Sequence, residues 1–88
     1  MACTVRIASP LRSYTAGAAT VAADGATVAD VLADLERRYA GMRFRIIDEQ
    51  DRIRRHIRIF VNGEQASDLS QPLRATDEVV IVQALSGG

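Results

Sequence analysis

Four consecutive apolar residues, Val79-Val80-Ile81-Val82, constrain the fold of this chain more than any other segment. All four are β-branched, and branching at Cβ favours extended backbone over helix. Successive side chains of a strand face opposite ways, so an unbroken run makes both faces of this strand apolar. Such a strand belongs inside a sheet, with neighbours along both edges. It runs through Gln83-Ala84-Leu85-Ser86 into Gly87-Gly88. Glycine has no Cβ and can thread a channel too narrow for a side chain. The expectation is that Gly88 presents an α-carboxylate to another protein and that Gly87 supplies access. A free carboxylate is ionised at neutral pH, with a reference pKa of about 3.5, and the resonance-stabilised anion is a poor electrophile. Chemistry at Gly88 therefore needs activation by a partner.

Length limits what else the chain can do. Its 88 residues suit one domain spanning 1–88 with a flexible Gly-Gly tail, with one modest core and no cleft between domains. A multi-residue active site is not expected, and the protein is read as no enzyme by itself. Eleven basic and eleven acidic residues balance to zero, which disfavours nucleic acid and anionic membrane as general partners. No apolar run is long enough to span a bilayer. The opening residues alternate like a strand and do not form a long apolar stretch, so no signal peptide and a cytoplasmic location are expected. Every one of the eleven bases is Arg, so an activated carboxylate would find no ε-amine on its own chain. Cys3 is the only cysteine and His56 the only histidine, which argues against a metal site. Cys3 alternates with Val5 and Ile7 and is assigned to packing.

Along the chain, 3–8 reads as a strand, 9–17 as a loop punctuated by Pro10 and Gly17, and 18–23 as a second strand. Thr27 is placed to cap a helix with Asp30 in its first turn. Val28, Val31, Leu32, Leu35 and Tyr39 then fall on one helical stripe, with Gly41 just past the end. In 42–56, Met42, Phe44, Ile46 and Ile47 are candidates to cover one end of the core, and 48–51 reads as an exposed turn. Six arginines, at 43, 45, 52, 54, 55 and 58, face only Asp48, Glu49 and Asp51 across this stretch, which makes it locally basic. Ile57, Ile59 and Val61 alternate, Asn62-Gly63 marks a tight turn into a short strand, and the apolar run forms the last strand.

Alternation also assigns faces. Ile57, Ile59 and Val61 form the longer apolar set on their strand and point inward, leaving Phe60 outward. With Val79 and Ile81 inward, Val80 and Val82 join Phe60 on the outer face. Such an apolar cluster suits a docking surface, with Arg58, Leu85 and Ser86 beside it. The alternative is that 42–56 folds over it.

The order strand, strand, helix, strand, short strand, strand suits a mixed sheet of four to five strands wrapped over one main helix, an α+β β-grasp. With that order in place, the chain resembles the MoaD/ThiS family of ubiquitin-like sulfur carriers. The residues that carry the resemblance are Pro10-Leu11-Arg12, Tyr14-Thr15, Thr27-Val28 through Leu35 with Tyr39, Phe60-Val61-Asn62-Gly63-Glu64, Pro72-Leu73, Asp77-Glu78-Val79 and Ser86-Gly87-Gly88. The resemblance implies that a ubiquitin-activating-type enzyme adenylates Gly88 with ATP and that the adenylate becomes a thiocarboxylate. No cofactor would be bound by the chain itself, which would be a monomer when free. The segment Arg43 to His56 gives it the look of the MoaD-like or CysO-like branch. The sulfur acceptor is then the large subunit of molybdopterin synthase or a cysteine synthase. In the former case the chain is that enzyme's small subunit, and a further alternative is a ubiquitin-like protein modifier. Gln83-Ala84-Leu85 departs from the Pro-containing stretch of many family members.

Overall fold

A computed structural model of the chain describes residues 2–84. In chain order its elements are β1 (Cys3–Arg6), β2 (Thr20–Ala23), helix α1 (Val28–Arg38), a short helix α2 (Met42–Ile46), β3 (Ile57–Val61), β4 (Glu64–Ala66) and β5 (Glu78–Gln83). The strands form one five-stranded sheet in the order β2-β1-β5-β3-β4. The apolar run lies in β5, at the centre, parallel to β1 and antiparallel to β3. Having a partner on each side gives its backbone donors and acceptors somewhere to go, which a buried strand requires. This is the expected α+β β-grasp.

The inner face of the sheet is a set of β-branched rows. Val21, Val5, Val79 and Val61 stand in register across four strands, and Ile81 pairs with Ile59. Val28, Val31, Leu32 and Leu35 of α1 pack on this face and are buried with it. The expected stripe is therefore the core face of α1, and Tyr39 packs partly buried at its edge.

The start of α1 is held from two directions. Thr27 Oγ1 accepts from the Asp30 N–H at 3.2 Å, as its spacing implies. Two further N–H groups of the first turn, on Val28 and Ala29, donate to the carbonyls of Gln71 and Leu69. The loop between β4 and β5 thus satisfies donors that a helix leaves open. Gly25 lies against the same turn, where an added Cβ would come within 2.6 Å of the Val31 nitrogen.

Three features differ from expectation. β1 ends at Arg6, because Ser9–Thr15 winds into a 3-10 helix with Pro10 in its first turn, where a missing N–H costs nothing. Residues 42–56 contain α2, which buries Met42 and Ile46 completely beside α1. Its N-terminus is capped by Glu36 of α1, whose carboxylate accepts from the Gly41 and Arg43 N–H groups. Gly41, with φ of 92°, is the residue that opens α2, not the one that closes α1, which ends at Arg38. Phe44 is the third correction. It points outward, 56% exposed, because Met42, Ile46 and Ile47 already fill the inner side of this short helix.

Asp34 is the one buried carboxylate of α1, at 5% exposure. It accepts from the Asp24 N–H at 2.8 Å, from Arg37 at 2.6 Å and from Arg38 at 2.8 Å. The Asp24 N–H foremost, with the two guanidinium groups, holds the Asp34 carboxyl below its ordinary pKa. Hydrogen bonds to the Gly41 and Arg43 N–H groups do the same to Glu36. Each folded-state value therefore lies below the unfolded one, roughly 4. The stabilisation is complete above about pH 5 and is lost as pH falls toward the folded-state values. Asp34→Asn should lower the urea midpoint clearly at pH 7 and much less at about pH 3. An equal drop at both values would show that its charge plays no part.

Candidate functional site

β5 determines where the end of the chain goes. The Ala84 N–H donates to the His56 carbonyl at 2.7 Å, one step beyond the β3 ladder, in which Ile57 faces Gln83 and Arg58 faces Val82. Whatever follows Ala84 therefore leaves from the middle of the sheet, beside the start of β3. Leu85, Ser86, Gly87 and Gly88 lie outside the described residues.

The outer face holds the expected cluster. Ile57, Ile59, Val79 and Ile81 are buried on the inner face, whereas Phe60 and Val80 are half-buried cross-strand partners on the other. Val82 is 39% exposed, with Arg58 exposed opposite it. Thr20, Arg6, Val80, Phe60 and Gln65 form one row across all five strands. Of residues 42–56, Met42, Ile46 and Ile47 join the core and Ile53 packs against it, so these apolar side chains are used in the core, which favours the docking-surface reading of Phe60 over the alternative that the segment covers it.

A groove of about 490 Å³ borders the same cluster. Val80, Val82 and Gln83 form one wall, and Ser9, Pro10 and Arg12 another. Arg12 is held there by donating Nε–H to the Ile7 carbonyl at 3.0 Å. Arg6 also lines it, paired with Glu78 at 2.9 Å. Sequence reasoning did not place Arg6 or Thr20 at the site. Alternation with Val5 and Val21 could have assigned both to the outer face, but their meeting with Pro10 depends on the 3-10 turn.

Several residues that carried the family resemblance have structural tasks. Asn62, with φ of 50°, precedes Gly63 in the turn between β3 and β4. Its side chain donates to Asp77 at 2.8 Å and accepts from the Glu78 N–H at 2.9 Å, pinning that turn to the start of β5. Leu11 and Leu73 are buried in the core. Cys3 is buried as well, its thiol donating to the Arg74 carbonyl at 3.1 Å. Burial, aided by the nearby charges of Asp77 and Asp24, raises the thiol pKa and keeps it protonated, the inert form. Among the described residues no group of His, Cys, Asp and Glu could hold a metal ion.

A family model described as the ThiS family matches residues 5–88. The chain belongs to the ThiS family. It is 34% identical to sulfur carrier protein CysO of Mycobacterium tuberculosis (strain ATCC 25618 / H37Rv) over 90 residues, covering 97% of each chain. Of solved structures, a chain in the Amycolatopsis orientalis BexX/CysO complex is 35% identical, with TM-score 0.90 over 98% of this chain and 99% of that one. SAMP1 of Haloferax volcanii is 28% identical, with TM-score 0.83 over 100% of both chains. These are ubiquitin-like β-grasp neighbours, in agreement with the sheet order. The family match begins inside β1 and extends to Gly88.

Adjacent β3 residues should respond oppositely to the same substitution. Phe60→Asp should fold and lose no more than about 2 kcal/mol, the scale of a half-buried aromatic. Ile59→Asp places a carboxylate in the core and should abolish the folded state of so small a domain. Thermal unfolding by circular dichroism separates the two outcomes.

Proposed function

We propose that this protein is a sulfur carrier in which the Gly88 carboxylate is the group transformed. The observation that carries the reading is the placement of β5: a strand locked on both sides delivers the chain, through Ala84, to a family-matched end at Gly87-Gly88. In the proposed sequence, a Gly88 carboxylate oxygen attacks the α-phosphorus of ATP bound by an adenylating enzyme, and pyrophosphate leaves. Hydrosulfide, delivered by the sulfur source, then attacks the acyl carbon of the adenylate, the C–O bond to AMP breaks, and AMP departs to leave the thiocarboxylate. The chain's own part is to dock, to present Gly88 to the partner and to keep competing groups away. Gly87 supplies the backbone freedom for that entry. The chain is a cosubstrate in this reading and binds no cofactor; ATP belongs to the partner.

Phe60, Val80 and Val82, with Arg58, form the proposed docking face, and Leu85 and Ser86 link it to the reacting end. An exposed apolar cluster next to the departing tail is what an enzyme must cover in order to draw that tail in. Similarity to CysO favours a cysteine synthase as the sulfur acceptor over the molybdopterin synthase large subunit. Likeness to SAMP1 motivates the modifier reading, which requires attack on the activated Gly88 by an amine of a second protein, since this chain has no lysine.

Intact mass measurement tests the chemistry. After incubation with a matching adenylating enzyme, ATP and a sulfur source, the chain should become heavier by the difference between one sulfur and one oxygen. A chain ending at Ser86 should not change, and a shift in that truncated chain would refute the assignment to Gly88. Folded Phe60→Asp should bind the adenylating enzyme at least about tenfold more weakly, equivalent to about 1.4 kcal/mol. Unchanged titration calorimetry would move the interface elsewhere.

A further inference from the structure

The arginines of this neutral chain are unevenly satisfied. Arg6, Arg37, Arg38, Arg43 and Arg52 make ion pairs with Glu78, Asp34, Asp24, Asp51 and Asp48. Among the described residues, no carboxylate pairs with Arg45, Arg54, Arg55 or Arg58. Two of these guanidinium groups, on Arg54 and Arg58, are positioned by other means. Arg54 stacks 4.6 Å above the Phe44 ring centroid and donates Nε–H to the Phe44 carbonyl at 2.7 Å. Arg58 donates to the Arg55 and Ile57 carbonyls at 2.7 and 2.9 Å. Arg54 and Arg55 line an open recess of about 590 Å³ with Asp48, Arg52, Ile53 and His56, in which the single carboxylate, Asp48, is paired with Arg52 and also acts on Arg54, so that positive charge remains in excess; Arg54 and Arg55 also meet Arg58 along a second recess. This cationic surface sits where the chain departs, since Ala84 bonds to His56 and Val82 faces Arg58.

We propose that Arg54, Arg55 and Arg58, with the exposed Phe44 ring, receive a carboxylate-rich rim on the adenylating enzyme, around the opening that admits the tail. This inference rests on the carrier reading. Two arguments fix the occupant as a protein with an acidic face. The first is distance: four residues beyond Ala84 reach at most about 14 Å fully extended, so an enzyme acting on Gly88 brings its opening close to these arginines. At physiological salt the rim and the arginines act on each other where they approach within a Debye length of about 8 Å, and at low salt, where that length is about 30 Å, they do so over the whole distance. The second is charge: the tail carboxylate is itself an anion, and an acidic rim would repel it unless the body of the chain supplied compensating cations. A surface made of a few arginines on a neutral chain suits orientation and rapid encounter of one partner more than the extended phosphate track of a nucleic acid.

Stopped-flow association of the full chain with the adenylating enzyme, measured across a salt series, tests this. The wild-type association rate constant should fall steeply with salt. Arg55→Glu/Arg58→Glu should lower it at least about tenfold at low ionic strength and flatten the salt dependence. Arg55→Glu alone, at a residue whose side chain makes no hydrogen bond among the described residues, should lower it severalfold, and serves if the double variant unfolds. Arg74→Glu, exposed at the far end of β5, should change it less than about twofold. If wild-type association ignores salt, or Arg74→Glu matches the Arg55 and Arg58 variants, the proposed rim is wrong. Thiocarboxylate formation on the same wild-type sample separates the two failures. If it occurs while the charge variants associate normally, only this inference falls; if it never occurs, the carrier reading falls with it. Tight binding of wild-type chain to single-stranded polyuridylate at physiological salt, lost in the double variant, would reassign the surface to nucleic acid.

Discussion

The pairing of β5 on both edges is the constraint on which the rest of the structure depends. A strand whose two faces are both apolar is insoluble as an edge and unstable alone, so β1 and β3 must flank it. That requirement brings the first and last strands together in parallel and leaves β2 and β4 as the outer strands. It also gives the sheet its two distinct apolar surfaces. Val79 and Ile81 complete the core beneath α1, while Val80 and Val82 remain on the outside with Phe60. The same strand thus supplies part of the core and part of the candidate interface, one residue apart.

Much of this was legible because the signals were local. Alternation along Ile57–Val61 assigned each side chain to its face, and the stripe from Val28 to Leu35 identified the buried side of α1. Thr27 capped the helix at the position its spacing required. What escaped were features fixed by partners outside the segment itself. α2 is five residues long and too short to show a period, and the carboxylate that caps it comes from Glu36. Phe44 looked like core by hydrophobicity, yet neighbouring Met42, Ile46 and Ile47 occupy the available volume. The contacts of Gln71 and Leu69 with the start of α1 join segments about forty residues apart, with no trace in either segment alone.

The candidate site divides the same way. Its outer apolar cluster followed from counting positions along two strands. The groove did not, because Pro10 and Arg12 reach Val80 only after the 3-10 turn folds them back. Composition showed a basic stretch between 43 and 58, but could not show which arginines are neutralised. That sorting comes from geometry: Asp51 and Asp48 engage Arg43 and Arg52, whereas Arg58, which no carboxylate pairs with among the described residues, stands opposite Val82 near the end of β5.

The direction of β5 has a mechanical consequence. A partner that draws on the chain at Ala84 pulls along the strand axis, with hydrogen-bonded neighbours on either side. Load applied in that direction is shared by the ladders in shear, whereas a strand pulled sideways from a sheet edge would peel open one bond at a time. The body of the protein can therefore be gripped by its tail, drawn against another surface and released, with its tertiary structure intact throughout.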